Sequence, residues 1–317
     1  SNHRMNAVIS LARSERGIPI RADDLDGDVW LLNVENGTLD LRTGKLRGHQ
    51  REDLITKTAP VEYRADAECP VFRQFLRTTF ANDDGMIAFV QRGIGSSLSG
   101  AIREHALHVL HGTGSNGKST LLTCVTEMLG DYAKSAPPKL LVRRDTEVHP
   151  TELADLHGVR FIASVETTEG GRLDEERVKQ LTGGDRIKGR FMRMDFFEFP
   201  PTHKIFLATN HKPDVRGQDH AIWRRIFLWP FNVTIPDDKQ DHDLPAKLKA
   251  EWPGILRMLV DGCLQWHRSG LGAPECVKAA TAEYKTESDT IGQFLDECCE
   301  RGDKGLLTEE YEAGGAA

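Results

Sequence analysis

The sequence predicts an α/β protein: a mainly parallel sheet with helices on its faces, preceded by a smaller mixed α/β unit and followed by a helical cap. Three observations carry this prediction. Short apolar runs at 107–111, 159–165 and 204–209 read as buried strands, and the segment Leu173–Leu181 between the last two follows a helical period. The first of these strands runs directly into a glycine-rich loop and then into a helix over Ser119–Leu129, the order of a strand–loop–helix unit.

The elements follow in chain order. Residues 5–16 predict a helix that Gly17-Ile18-Pro19 stops. Val29–Val34 and Thr38–Leu41 are extended pieces joined at Asn36-Gly37, with a second turn at Thr43-Gly44. From Cys69-Pro70 the period becomes helical: Val71, Phe72, Phe75, Leu76 and Phe80, then Met86, Ile87, Phe89, Val90 and Ile94. The glycines and serines over 93–100 mark an expected boundary. This divides the chain into an accessory unit (1–100), a core (101–235), a helical region (236–300) carrying Ile255, Leu256, Leu259, Val260, Cys263 and Leu264, and a flexible tail (301–317) with Glu309, Glu310 and Glu312.

Composition narrows the class. Of 317 residues, 39% are hydrophobic and 28% charged, as in an ordinary globular protein. No apolar run approaches the roughly 20 residues of a membrane span, and Ser1-Asn2-His3-Arg4 lacks the order of a signal peptide, so a cytoplasmic protein without a membrane partner is expected. Cysteines 69, 124, 263, 276, 298 and 299 show no C-x-x-C pair, which predicts a reducing compartment and no structural metal. The formal charge is −7 and the pI about 6.0, so any contact with nucleic acid must be local.

The chemistry starts at Gly112, Thr113, Gly114, Ser115, Asn116, Gly117, Lys118 and Ser119, which match G-x-x-x-x-G-K-[ST] at every fixed position. Backbone N–H groups and a helix N-terminus, extended by Thr120, face phosphates; Lys118 neutralises them and Ser119 offers a hydroxyl to Mg²⁺. ATP and Mg²⁺ are the cofactors this implies. Hydrolysis also needs an acid on a neighbouring strand. Glu166 ends the strand 159–165 and is the favoured metal and water ligand, with Glu169 the competing candidate. Asn210 follows the strand 204–209 and puts an amide beside the loop.

With these motifs in order, the chain resembles a superfamily 3 helicase, in the branch of the helicase halves of phage and plasmid primases and their poxvirus relatives. The matching stretches are 31–41, 112–120, 149–154, 181–185, 208–213 and 222–226, so the resemblance covers roughly residues 25–235. It implies an AAA+-like core, a homohexameric ring, and 3′ to 5′ movement on single-stranded or forked DNA during replication of a phage, plasmid or other mobile element in a bacterial host. It also implies an accessory domain over the first 100 residues. Glu166 and Glu169 depart from the simplest adjacent-acid form, which leaves their roles undivided. No primase site is recognisable, so a primase partner or domain would lie outside this sequence.

Two further segments agree. Residues 186–193 hold Arg186, Lys188, Arg190 and Arg193 with no acid, and Phe191 lies among them; projected as a hairpin, they would contact DNA phosphates and supply an apolar wedge. Arg143-Arg144 is a weaker patch and reads as solvated surface. Arg224-Arg225 precede an apolar strand, and in a ring such an arginine reaches the neighbour's γ-phosphate; by position Arg225 resembles the family's finger more than Arg224 does. Histidines 149, 157, 203 and 211 have neither triad nor metal spacing and are expected to be structural. Two rival readings stay open: an ATP-regulated DNA-binding or assembly module without processive unwinding, which a strand-separation assay discriminates, and a small-molecule P-loop kinase, which DNA-stimulated ATPase discriminates.

Overall fold

The computed structural model describes residues 2–15, 17–21, 24–143, 149–166, 171–217, 219–289, 292 and 294. The tail 301–317, with its three glutamates, lies outside them, as do Cys298 and Cys299. The first helix, α1 (Asn2–Ala12), starts and stops earlier than its sequence suggests, and none of its residues is buried. Strands β1 (Leu31–Val34), β2 (Gly37–Asp40) and β3 (Lys45–Arg47) form an antiparallel sheet. The third was not expected, because its three residues follow the Thr43-Gly44 turn without any alternation of their own. Helices α2 (Pro70–Thr79) and α3 (Asp84–Ser96) follow where the apolar spacing predicts them. Proline occupies the first turn of α2, where its missing N–H costs nothing, and the Asp83 carboxylate accepts from Met86 N to cap α3.

Next come β4 (Leu107–His111), α4 (Lys118–Leu129), β5 (Ala133–Ala136), α5 (Pro150–Ala154) and β6 (Phe161–Glu166). After α6 (Glu175–Thr182), the short strands β7 (Ile187–Gly189) and β8 (Phe197–Phe199) make a separate antiparallel pair. The chain continues through β9 (Lys204–Thr209), α7 (His220–Trp223), β10 (Ile226–Pro230), α8 (Leu244–Ala250), α9 (Trp252–Ser269) and α10 (Glu275–Glu287). The central sheet has the order β10-β4-β9-β6-β5, and every pairing in it is parallel.

Alternation along the strands explains why they read as continuous apolar runs. Leu107, Val109, Ile205, Leu207, Ile226 and Leu228 face a core shared with α6, α7 and α10. Leu110, Phe206, Ala208 and Trp229 face the opposite core, shared with α2, α3, α4 and α9. Both faces of a parallel sheet are thus covered. Residues 93–100 are all buried, and the second core continues across them into β1 and β2. Their glycines serve close packing. A Cβ at Gly95 would lie 2.5 Å from the Leu259 carbonyl oxygen, and one at Gly262 would lie 2.2 Å from that of Gln91, so α3 and α9 touch backbone to backbone.

Two buried cations fasten β1 and the end of α3 to the sheet. Arg160 donates to the carbonyls of Leu98 (2.6 Å) and Leu31 (2.8 Å) and stacks over Tyr132, while Lys204 donates to Ser99 O at 2.7 Å. Burial lowers the pKa of both groups, that of Lys204 to about 7.

Candidate nucleotide site and nucleic-acid interface

Residues 112–117 form a loop between β4 and α4, and Lys118 is the first residue of the helix. Gly117 caps α4 with φ +83°, a conformation that side chains rarely adopt, and a Cβ there would lie 2.8 Å from the Phe75 ring. Asn116 is 3% exposed; its amide donates to Phe231 O at 3.1 Å and its oxygen accepts from Lys118 Nζ at 2.8 Å. Lys118 also donates to Gly112 O at 2.6 Å. No carboxylate is among these partners, and burial pushes its pKa down to about 8.

The register of the sheet gathers the remaining candidates. His111 pairs with Thr209, and Thr209 pairs with Glu166, so the P-loop, Asn210 and the acidic position leave the sheet in one row. Glu166 is the last residue of β6 itself, which runs 161–166 rather than 159–165. Glu169 lies outside the described residues. Thr209 Oγ1 donates to His211 O and accepts from His211 N, fixing the turn that carries Asn210. A cleft of about 260 Å³ lies over this row, lined by 114–120 with Val165, Ala208, Thr209 and Asn210. The donors suit a nucleotide with its magnesium: free N–H groups of the first turn of α4, the Ser119 hydroxyl, the Asn210 amide and the Lys118 cation.

The basic segment is a hairpin. β7 and β8 pair antiparallel, and Phe191, Met192, Met194 and Phe196 on the connecting loop are 39%, 76%, 63% and 50% exposed. Lys188 and Arg190 lie over the Phe196 ring, at 5.0 and 4.7 Å from its centre, and Phe191 stacks on Phe197. Lys188 and Arg193 face solvent, and Arg186 donates to Glu198 O. The two arginines at the start of β10 differ. Arg224 is exposed, whereas Arg225 is 8% exposed, donates to Ala221 O at 2.5 Å and lies 3.5 Å from His105 Nδ1. The local reason is the short helix α7, whose last turn directs one arginine outward and the next beneath itself.

Histidines 149, 157 and 203 have structural partners: His149 caps α5, His157 packs edge-on against Phe197 and Phe199, and His203 bonds Leu181 O. Arg143 is exposed, and Arg144 lies outside the described residues.

Sequence reasoning missed the walls around the loop. Phe75 and Thr79 of α2 meet Gly117 from one side, and the segment after β10 meets it from the other, with Ile235 N donating to Ser115 O at 2.8 Å. The spacing that marks α2 gives no sign of which side chains touch a loop some 40 residues later. Asn116 is a variable position of the P-loop pattern, so the pattern alone assigns it nothing.

Comparison with known proteins adds the following. Residues 1–81 match the family described as D5 N terminal like, and residues 110–225 match a family of unknown function (DUF5906). A protein of Acanthamoeba polyphaga mimivirus named "Putative helicase L207/L206" is 28% identical over 88% of this chain. One of African swine fever virus named "Putative primase" is 26% identical over 86% of it. The chain spans about a third of each, 32% and 31% of their lengths. A solved structure described as the A form apo structure of the NrS-1 C terminal region superposes with a TM-score of 0.54 at 14% identity, covering 80% of this chain and 65% of that one; at this identity the likeness concerns the fold alone. No described helix is long and apolar enough to cross a membrane.

Proposed function

We propose that this chain, which belongs to the primase-helicase family, is an ATP-driven motor of the superfamily 3 type that assembles as a homohexameric ring and moves 3′ to 5′ on single-stranded DNA. The observation that carries the reading is the row His111–Thr209–Glu166, which brings together the carboxyl ends of the three adjacent strands that lead into the phosphate loop, Asn210 and the acidic position. In this reading Lys118 leaves Asn116 and Gly112 to neutralise β and γ oxygens, while the N–H groups of α4 hold them in place. Ser119 and Glu166 would hold the magnesium, which would screen charge on those oxygens. Glu166, or Glu169 in the exchanged assignment, orients the attacking water and accepts its proton, and Asn210 holds that water in line. Arg224 or Arg225 of the neighbouring subunit stabilises the charge that develops on transfer.

The hairpin supplies the DNA contact despite the acidic whole chain. Lys188, Arg190, Arg193 and Arg186 meet phosphates, and Phe191 with its exposed neighbours offers faces on which bases stack. Replication of a phage, plasmid or other mobile element, cytoplasmic placement in its host, and a primase partner or domain beyond these residues complete the proposal. The test is DNA-stimulated ATPase with strand displacement on a forked duplex, comparing wild type with Lys118→Ala. Wild type should do both and the variant neither, with its melting temperature retained. ATPase without strand displacement supports instead an assembly module, and undiminished turnover in Lys118→Ala overturns the site.

A further inference from the structure

α10 lies along β10, and its last turn reaches the loop that carries Asn210. Thr281 Oγ1 accepts from Leu228 N at 3.0 Å, which satisfies a donor of β10 at the edge of the sheet. One turn later Tyr284, only 2% exposed, donates its hydroxyl to Pro213 O. Glu287, at the end of the helix, pairs with Lys212 at 2.6 Å, and the same ammonium lies 5.9 Å from the centre of the Tyr284 ring. This pair stands at the margin of the phosphate site. Burial chiefly lowers the pKa of His111, the residue before the P-loop, and the charges of Lys212 and Glu287 are both felt there.

The Tyr284 ring also meets α7. It stands edge-on to Trp223 with centres 5.2 Å apart, and Trp223 Nε1 donates to Gly217 O at 2.9 Å. Arg224 and Arg225 follow directly. One buried side chain thus holds the backbone three residues after Asn210 and packs on the residue before the arginine pair. A buried phenol must place its proton on an acceptor, and the acceptor it meets is Pro213 O, so the hydroxyl fixes where the loop lies. Burial raises the Tyr284 pKa, which keeps that proton in place at any working pH.

We propose that Tyr284 is a positioning residue that joins the Asn210 turn and α7 into one unit, so that the turn beside the terminal phosphate of one site and the arginines offered to the next site move together. This rests on the motor reading above and adds a link between neighbouring sites of the ring. When the terminal phosphate leaves, the Asn210 turn shifts; Pro213 carries the shift to Tyr284, and Tyr284 to Trp223 and the arginines behind it.

Tyr284→Phe tests the link, because it keeps the ring on Trp223 and deletes the hydroxyl. Hydrogen exchange of the full chain is followed by mass spectrometry with and without magnesium and a non-hydrolysable ATP analogue, beside steady-state ATPase well below the melting temperature. In wild type the analogue should slow exchange of 112–118, 211–217 and 220–225 together, by about tenfold. Tyr284→Phe should keep the protection of 112–118 and lose most of that at 220–225. Its kcat should fall by about tenfold with KM nearly unchanged, the pattern of misplaced groups and not of lost binding. Glu287→Gln loosens Lys212 at a half-exposed position, where the fold is not at stake, and should show both effects on a smaller scale.

Equal protection of 220–225 in wild type and Tyr284→Phe overturns the link and leaves the phosphate site standing. So does an unchanged kcat, even with a lowered melting temperature, since Tyr284 would then serve packing alone. If Tyr284→Phe does not fold, Glu287→Gln decides by the same two readings. Absence of protection at 112–118 in wild type overturns the P-loop reading itself.

Discussion

At the scale of single residues, the chain keeps some groups in protonation states that only its core enforces. His108 in β4 is fully buried, stacked on Phe206 and set edge-on to Trp229, and neither ring nitrogen has a hydrogen-bond partner. Burial, aided by the Lys204 charge, pushes its pKa down to about 3. The unfolded chain, with its histidine near 6.5, takes up the extra proton between those values. Stability is therefore present above pH 6.5 and lost as pH falls toward 3. His203, held near 4 chiefly by burial, acts in the same direction. Replacing His108 by phenylalanine keeps the ring and removes the unpaired nitrogens. This should raise stability by about 1–3 kcal/mol and flatten the acid limb of the melting profile. An unchanged acid limb would show that His108 is not the titrating group.

At the scale of elements, the hairpin β7–β8 is the clearest device. Its exposed charged and apolar residues lie together on one hairpin, so under the proposed function one substitution set should separate DNA contact from hydrolysis. Lys188→Ala with Arg190→Ala should weaken single-stranded DNA binding and lower the salt slope by roughly 1 to 2 units, because two fewer phosphates are neutralised. Basal ATPase should be retained, and an unchanged slope would return the segment to solvated surface. This hairpin is legible in the sequence, since four cations without an acid and an aromatic among them mark an exposed loop. The strand–loop–helix unit and β9 are legible for a related reason: apolar runs bounded by special loop chemistry leave few alternatives. The packing of α2 and of the segment after β10 onto the P-loop is not, because these contacts join residues far apart in sequence through side chains of ordinary type. Nor is the difference between Arg224 and Arg225. Their position before the strand favours Arg225 as the finger but carries no signal of burial, and it is the turn at the end of α7 that turns one in and one out.

At the scale of the whole molecule, the proposed ring makes each site the property of two subunits. An Arg224→Ala or Arg225→Ala subunit carries a sound P-loop and Lys118→Ala carries a sound finger, so mixing an inactive finger variant with Lys118→Ala should restore part of the ATPase. The arginine whose variant is inactive alone and rescued in mixtures is the finger; if verified mixed rings recover nothing with either variant, neither arginine acts in trans. The contact between α3 and α9 also sets an order in time. α3 buries its face against a helix made much later, and the roughly 160 residues between Gly95 and Leu259 take about 8–32 s to synthesise at about 5–20 residues per second. Through that interval Phe89, Val90 and Ile94 lack the partners that α9 supplies, so the apolar face of α3 stays open to wrong contacts until α9 is made.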